Sequence, residues 1–227
     1  MKLMLIFLSM VFSGLLSITA LAAGKSEVPE YTVEGLKLVP NTKDMALVWA
    51  EPGADLGQYK RVHLVEPYVA FKKNWRRDQN RGSIRVSGSD MERIKENVKK
   101  LFIEVFKEEL EKGGYELTDD RAEDVLIVRP AIINLDVTAP DIRTANRVET
   151  FTRSAGSMTL YIELYDAETE DIIAKAMDAR ADRDNGYMQW QTGPANRAAG
   201  ARMMRPWAET LRNALDEARS SSSASKE

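Results

Sequence analysis

The sequence contains no cysteine and a single histidine, His63. The first absence removes disulfides, so a fold that meets an oxidising space must rest on burial alone. It also removes the thiol that a lipid anchor after an export signal would need. A zinc site calls for several nitrogen or sulfur ligands, and this chain offers one imidazole and no thiolate. His63 stands between Val62 and Leu64 in a strand-like run, a setting that reads as a packed or hydrogen-bonded structural residue rather than a base. A Ser-His-Asp device would have to use His63, yet no Gly-x-Ser-x-Gly turn is present to hold the serine. Neither a Gly-rich phosphate loop nor a dinucleotide fingerprint occurs, so no cofactor is expected. An excess of one charge is missing too. With 32 Lys plus Arg against 35 Asp plus Glu there is no overall field for nucleic acid or an anionic membrane, and any charged partner is recognised locally.

What is present begins at the first residues. Lys2 precedes an apolar run from Leu3 to Leu16, and small residues follow, ending Thr19-Ala20-Leu21-Ala22-Ala23. This pattern reads as a signal peptide over residues 1–22, cut after Ala22. The alternative is an uncleaved anchor, but the run is short for a span and is diluted by Ser9, Ser13, Gly14, Ser17 and Thr19. The expectation is an exported protein, periplasmic or secreted, with no integral membrane span after cleavage. About two hundred residues remain, ample for one core and short for two.

Residues 23–57 read as an extended arm with a short edge strand near Met45–Trp49, ending in a turn at Pro52-Gly53. Val62 to Phe71 reads as a strand that Pro67, unable to donate to a ladder, places at an edge or bulge. Ser89-Asp90-Met91-Glu92 has the spacing of a capping box, and Met91, Ile94, Val98, Leu101, Phe102 and Val105 form a helical stripe that ends at Gly113-Gly114. Val125–Val128 is continuous and apolar, as in a central strand. Ile133, Leu135 and Val137 then alternate with polar residues, predicting one wet face. Met158, Leu160, Ile162 and Leu164 alternate the same way, and Ile172–Met177 returns as the antiparallel partner before a charged run from Asp178 to Asp184 and a turn at Asn185-Gly186. A last helix carries Met204, Trp207, Ala208, Leu211 and Leu215. Pro206 predicts a kink, or two helices, in it. Residues 219–227 read as a disordered serine-rich tail. The resulting order over residues 58–218 is β-α-β-β-β-α: a single two-layer α+β domain, a mostly antiparallel sheet with two main helices on one face.

Several segments, in this order, resemble an uncharacterised bacterial envelope family, domain of unknown function 3313. They are Tyr59-Lys60-Arg61-Val62, Val69-Ala70-Phe71-Lys72-Lys73-Asn74-Trp75, Asp124-Val125-Leu126, Arg129-Pro130-Ala131-Ile132, Leu135 through Asp141, Ser154 through Leu160, and Trp207 through Arg212. The resemblance implies an envelope protein and brings no mechanism with it. Many members look like lipoproteins with a cysteine closing the signal, and this chain departs from that pattern. The element order is also similar to small α/β domains of outer-membrane assembly and secretion accessory proteins, an analogy of fold only.

The positive constellation is Lys72, Lys73, Arg76, Arg77, Arg81 and Arg85 around Trp75, broken only by Asp78. Guanidinium groups fork onto phosphates and carboxylates, and an indole stacks on sugars or sits at a lipid interface. An anionic envelope polymer or an envelope protein is therefore the expected partner, set against the plainer reading of a solvated basic loop. Asp141 and Arg143, with Arg147 and Arg153, mark a long connection between strands, which reads as a contact loop or as a flap stapled by ion pairs. Trp190 lies in a loop, as a contact residue or as a lid over the core. Asp182 to Gly186 only faintly follows a calcium loop, because its glycine comes one position early and Gly193 stands where the closing glutamate belongs. Asp119, Asp120, Glu123 and Asp124 read as a solvated turn. Two function classes follow: a non-catalytic envelope binding protein, or a hydrolase of cell-wall glycans using Asp136 or Asp141 with Glu163 across a groove.

Overall fold

The computed structural model describes residues 28–81, 85–142, 150–183 and 189–224. Its elements are β1 (Lys37–Leu38), β2 (Leu47–Ala50), a 3-10 turn (Leu56–Gln58), β3 (Arg61–Leu64), β4 (Tyr68–Phe71), α1 (Trp75–Gln79), α2 (Gly88–Lys112), β5 (Glu116–Leu117), β6 (Val125–Val137), β7 (Thr150–Thr152), β8 (Gly156–Asp166), β9 (Ile172–Ala181), β10 (Gln189–Gln191) and α3 (Gly193–Ala224). An eight-stranded sheet runs β1-β2-β9-β8-β6-β3-β5, with β4 also on β6, and β7 and β10 form a separate ribbon. The main sheet is mostly antiparallel, as the sequence predicts. Its parallel part is β3 and β4 on β6 and β3 on β5, because α2 carries the chain back over the sheet between them.

Pro67 accounts for the break between β3 and β4. It supplies no amide, so the strand splits there and both halves pair with the long β6. A second irregularity sits in β6, where Asn134 takes a left-handed φ of 52° and the register to β8 shifts between Ile133 and Asp136. This bulge corrects the expected alternation. Leu126, Val128 and Ile132 belong to the main core, and beyond the extra residue Leu135 does so too, while Ile133 does not.

The helices cover one face of the sheet. Ser87, not Ser89, caps α2: its Oγ accepts from the Asp90 amide at 3.1 Å and the Asp90 carboxylate accepts from the Ser87 amide at 3.1 Å. The aspartate at the third helical position does the work expected of Glu92, so the helix begins one residue before Ser89. The buried stripe extends beyond the sequence reading to Phe106, Glu109 and Leu110. Glu109 accepts from Lys112, Arg205 and Arg212 and so ties α2 to α3.

The last helix runs unbroken from Gly193 to Ala224 with Pro206 inside it. The expected serine-rich tail is helical through Ala224. Its Ser220, Ser221, Ser222 and Ser223 hydroxyls donate to carbonyls four residues back, and Ser222 also reaches Asp55 at 2.8 Å. The charged run after Met177 likewise stays in β9 as far as Ala181. Residues 1–23 and the turn at Asn185-Gly186 lie outside the described residues. No helix among the described residues is long and apolar enough to cross a membrane.

On the opposite face the arm crosses near β2 and β9. The Trp49 indole donates to the Pro29 carbonyl at 2.9 Å, and Lys175 reaches Glu34 at 2.6 Å. Next to it, Tyr161 and Tyr165 each donate to Glu163 at 2.7 Å, and Arg129 lies over the Tyr165 ring.

Candidate functional site

Where β6 ends and β8 begins, α2 and α3 part and leave a cleft of about 380 Å³. One wall is the α2 segment from Arg93 to Leu101, another the α3 segment from Gly193 to Met204, and Leu135, Val137 and Met158 make the floor. The two helices touch just beside it. A Cβ on Gly200 would stand 2.8 Å from Leu101 Cδ2, so a side chain there would push that leucine methyl aside. Leu101, Leu135, Met158, Met203 and Met204 are buried and present aliphatic carbon and thioether surface.

Polar groups gather at the edge. Arg93 donates to Asp90 at 2.9 Å and to the Asp141 carbonyl at 2.7 Å, and Arg197 pairs with Glu104. Asn196 donates through Nδ2 to the Ala139 carbonyl at 3.0 Å, while its Oδ1 is buried and, among the described residues, without a partner. The Asp141 carboxylate lies against the first residue of α3, 2.8 Å from where a Gly193 Cβ would be. Among the described residues no cation pairs with it. Among the described residues both rim arginines are paired with carboxylates, and Asp141 is exposed to solvent.

The basic constellation of the sequence adjoins this end of the molecule, since Lys72 bonds Asp136 at 3.0 Å and Asp136 lines the cleft. Trp75 is not available to a sugar or a lipid. It is 3% exposed, stacks on Phe71 at 4.2 Å and donates to the Val137 carbonyl at 3.1 Å. The reason is Asn74, which takes a left-handed φ of 65° and turns α1 back onto the sheet end. Arg76 donates to the Val86 carbonyl at 3.0 Å, and Arg77 and Arg81 both lie 3.4 Å from Asp78. Lys73, Arg76, Arg77 and Arg81 remain exposed. Arg143 lies outside the described residues. The backbone of Trp190 is in β10, opposite Phe151 of β7, so a strand stands where a loop was expected, and residues 143–149 of the long connection lie outside the described residues.

Asp136 and Asp141 both line the cleft, but Glu163 does not. Burial acts to raise the Glu163 pKa, but the two tyrosine hydroxyls and Lys175 outweigh it and hold the group below the usual carboxylate range. The pairings of Glu163 with Asp136 or Asp141 across one groove are therefore not formed. Asp182, read against a calcium loop, is buried and accepts from the Ala155 amide at 3.0 Å and from Arg202 at 2.8 Å. Asp120 and Asp124 bind Arg61 at 2.9 and 2.6 Å. His63 has its Nε2 3.7 Å from Asp119 and its Nδ1 buried and, among the described residues, without a partner. Among the described residues no group of three or more His, Cys, Asp or Glu is placed to hold a metal ion.

Sequence reasoning missed Arg93, Asn97, Asn196 and Arg197. The available signal was the run of small residues from Gly193 to Ala201, which lets a helix approach another closely and marks where side chains leave space.

No curated protein matches the sequence at a significant level. Among solved structures, a protein of Xanthomonas campestris described by the family model DUF330 is 10% identical, with a TM-score of 0.39 over 76% of this chain and 92% of that one. The PelC dodecamer of Paraburkholderia phytofirmans is 12% identical, with a TM-score of 0.35 over 73% of this chain and 96% of that one. A minor lipoprotein of Acinetobacter baumannii is 11% identical, with a TM-score of 0.32 over 71% and 95%. Likeness at this level says nothing of what the chain binds. The model of the family described as protein of unknown function (DUF3313) matches residues 32–211, from the arm through the sheet and into α3, and the chain belongs to that family.

Proposed function

We propose that this is an exported, non-catalytic binding protein of the cell envelope that takes its ligand into the cleft between α2 and α3. The observation that carries the reading is the cleft itself: about 380 Å³ of largely apolar space, walled by helices and strands and edged by polar groups. The leader-like residues 1–22 support export. A titration with the fluorescent apolar probe 1-N-phenylnaphthylamine tests it. The wild-type mature protein binds one equivalent, and Val98→Trp, which fills the cleft, or Asn97→Trp at the rim weakens binding at least tenfold while the folded protein persists. Unchanged binding in both variants refutes the site. Fractionation of cells expressing the full chain tests export, and mature protein retained in the cytosol refutes it.

A second reading is favoured by the exposure of Lys73, Arg76, Arg77 and Arg81 on and beside α1. These groups grip an anionic envelope polymer, with Asp78 as the one acid among them. Arg76→Ala/Arg77→Ala then reduces sedimentation with purified cell-wall or lipid fractions, and equal sedimentation sinks the idea.

A further inference from the structure

We infer that the α1 segment docks on a bilayer surface carrying anionic phospholipid headgroups, held there by charge and released by salt. The inference rests on the second reading, which gives these cations an anionic envelope ligand, and names a lipid leaflet as its source.

Sequence concentrates the charge and the fold turns it outward. Residues 72–85 hold six cations and one acid, Asp78, in a chain whose net charge is −3, so a positive island stands on an acidic body. Its backbone is pinned from within. Gln79 donates to the Val137 carbonyl at 3.0 Å beside the Trp75 indole, and Asn80 accepts from the Val86 amide at 2.7 Å and donates to the Val86 carbonyl at 3.3 Å. With Trp75 buried as the anchor, Lys73, Arg76, Arg77 and Arg81 are left on the outside.

Most of that charge is uncommitted. Among the described residues no carboxylate pairs with Lys73 or Arg76, and Arg76 engages only its Nε, at the Val86 carbonyl. Arg77 and Arg81 share one Asp78 oxygen at 3.4 Å, with 64% and 72% of their side chains exposed. Pairing is closer at Lys99, which lies 2.7 Å from Glu66 and 2.8 Å from Glu96, and at Arg205, 2.6 Å from Glu109. The form of the patch then selects the ligand. Recognition of a sugar ring uses an exposed aromatic face, and Trp75, the one aromatic residue between 72 and 85, is turned inward onto Phe71. A phospholipid leaflet needs neither ring nor groove, because each cationic side chain near its surface adds about fivefold in affinity. With the indole held inside, the attraction is one of charge, and salt reverses it.

Co-sedimentation of the mature protein with phosphatidylcholine vesicles, with and without phosphatidylglycerol, tests this. Wild type should bind the mixed vesicles in low salt, ignore pure phosphatidylcholine, and come off at about 1 M salt, where screening acts within about 3 Å. Arg76→Ala/Arg77→Ala and Lys73→Ala/Arg81→Ala, two pairs with no residue in common, should each weaken binding by roughly tenfold or more. Arg76→Lys/Arg77→Lys, which keeps the charge, should stay within about threefold of wild type. Asp78→Asn, which removes the one acid, should bind about fivefold more tightly. Unchanged binding in both alanine pairs, or no gain in Asp78→Asn, overturns the inference. If the protein passes over the vesicles but sediments with purified cell wall through the same arginines, the lipid assignment falls and the second reading stands. If it sediments with neither, both fall.

Discussion

Replacing Glu109 by glutamine tests the joint on which the cleft depends. The carboxylate is 2% exposed and accepts from Lys112 at 2.8 Å, Arg205 at 2.6 Å and Arg212 at 3.0 Å. Glutamine keeps the shape but removes the charge and turns an N–H₂ toward a cation. Hydrogen bonds to charged groups contribute about 1.5–3 kcal/mol each, and breaking a buried pair costs about 3–5 kcal/mol. The three cations are partly in water, so the loss falls to about 2–4 kcal/mol. For a chain of this size that lowers the melting temperature by roughly 5–15 °C. The acid limb provides an internal check. Burial acts to raise the Glu109 pKa, and the hydrogen bonds from Lys112 and Arg205 outweigh it, so the folded value lies below the ordinary 4.5. A depressed value means that the contribution is complete above the ordinary pKa and is lost as pH falls through the folded one. The gap between wild type and Glu109→Gln therefore narrows as pH falls below the ordinary carboxylate value of 4.5 and through the lower folded one. Thermal melts from pH 7 downward measure both effects, with Glu108→Gln as the exposed control expected to melt close to wild type. A variant that melts within 1 °C of wild type at pH 7, or a gap that widens as pH falls, refutes the account.

Other perturbations follow from the same geometry. Gly156→Ala should leave little folded protein in expression trials, because φ is 135° and a Cβ there would overlap the Asp136 carbonyl oxygen; a soluble variant with wild-type melting temperature would contradict the β6–β8 register. Trp207→Phe removes the indole hydrogen bond to Asp178 at 2.7 Å, for a loss of about 1.5–3 kcal/mol in urea unfolding, and an unchanged midpoint would place that indole elsewhere. Asp90→Ala strips the cap and the tie to Arg93, costing about 1–2 kcal/mol. Ser87 chiefly, then Arg93, holds the Asp90 pKa down to about 2 from 3.8, so this part of the stability is present above pH 4 and disappears as pH falls toward 2, and an acid titration that shows no difference from the variant argues against the cap.

Local pattern in the chain announces β8, because alternation of apolar and polar residues over eight or more positions has one physical solution when a single face is buried, whereas β6 is legible as a continuous apolar run and its later alternation is displaced by the Asn134 bulge. The amphipathic stripe of α2 and its end at Gly113-Gly114 are legible for the same reason. The cap at Ser87 is less so, since two serines two residues apart offer competing boxes and only the packing of Asp90 against Arg93 selects one. Trp75 shows the limit most clearly. In the sequence it sits among six cations and resembles a surface contact. In the fold a left-handed turn at Asn74 delivers it to the sheet end, where Phe71 and the Val137 carbonyl take it up.

The sequence by itself determined an α+β body with its helices on one sheet face, without thiol chemistry and with one imidazole, because burial periodicity and side-chain inventory are properties of the chain alone. Tertiary structure decided where the unused space lies and what faces it. Asn196, Asp141, Val98 and Met158 come from four separate segments, and the gap between α2 and α3 does not exist until those helices pack on the sheet and the Asn134 bulge sets the end of β6.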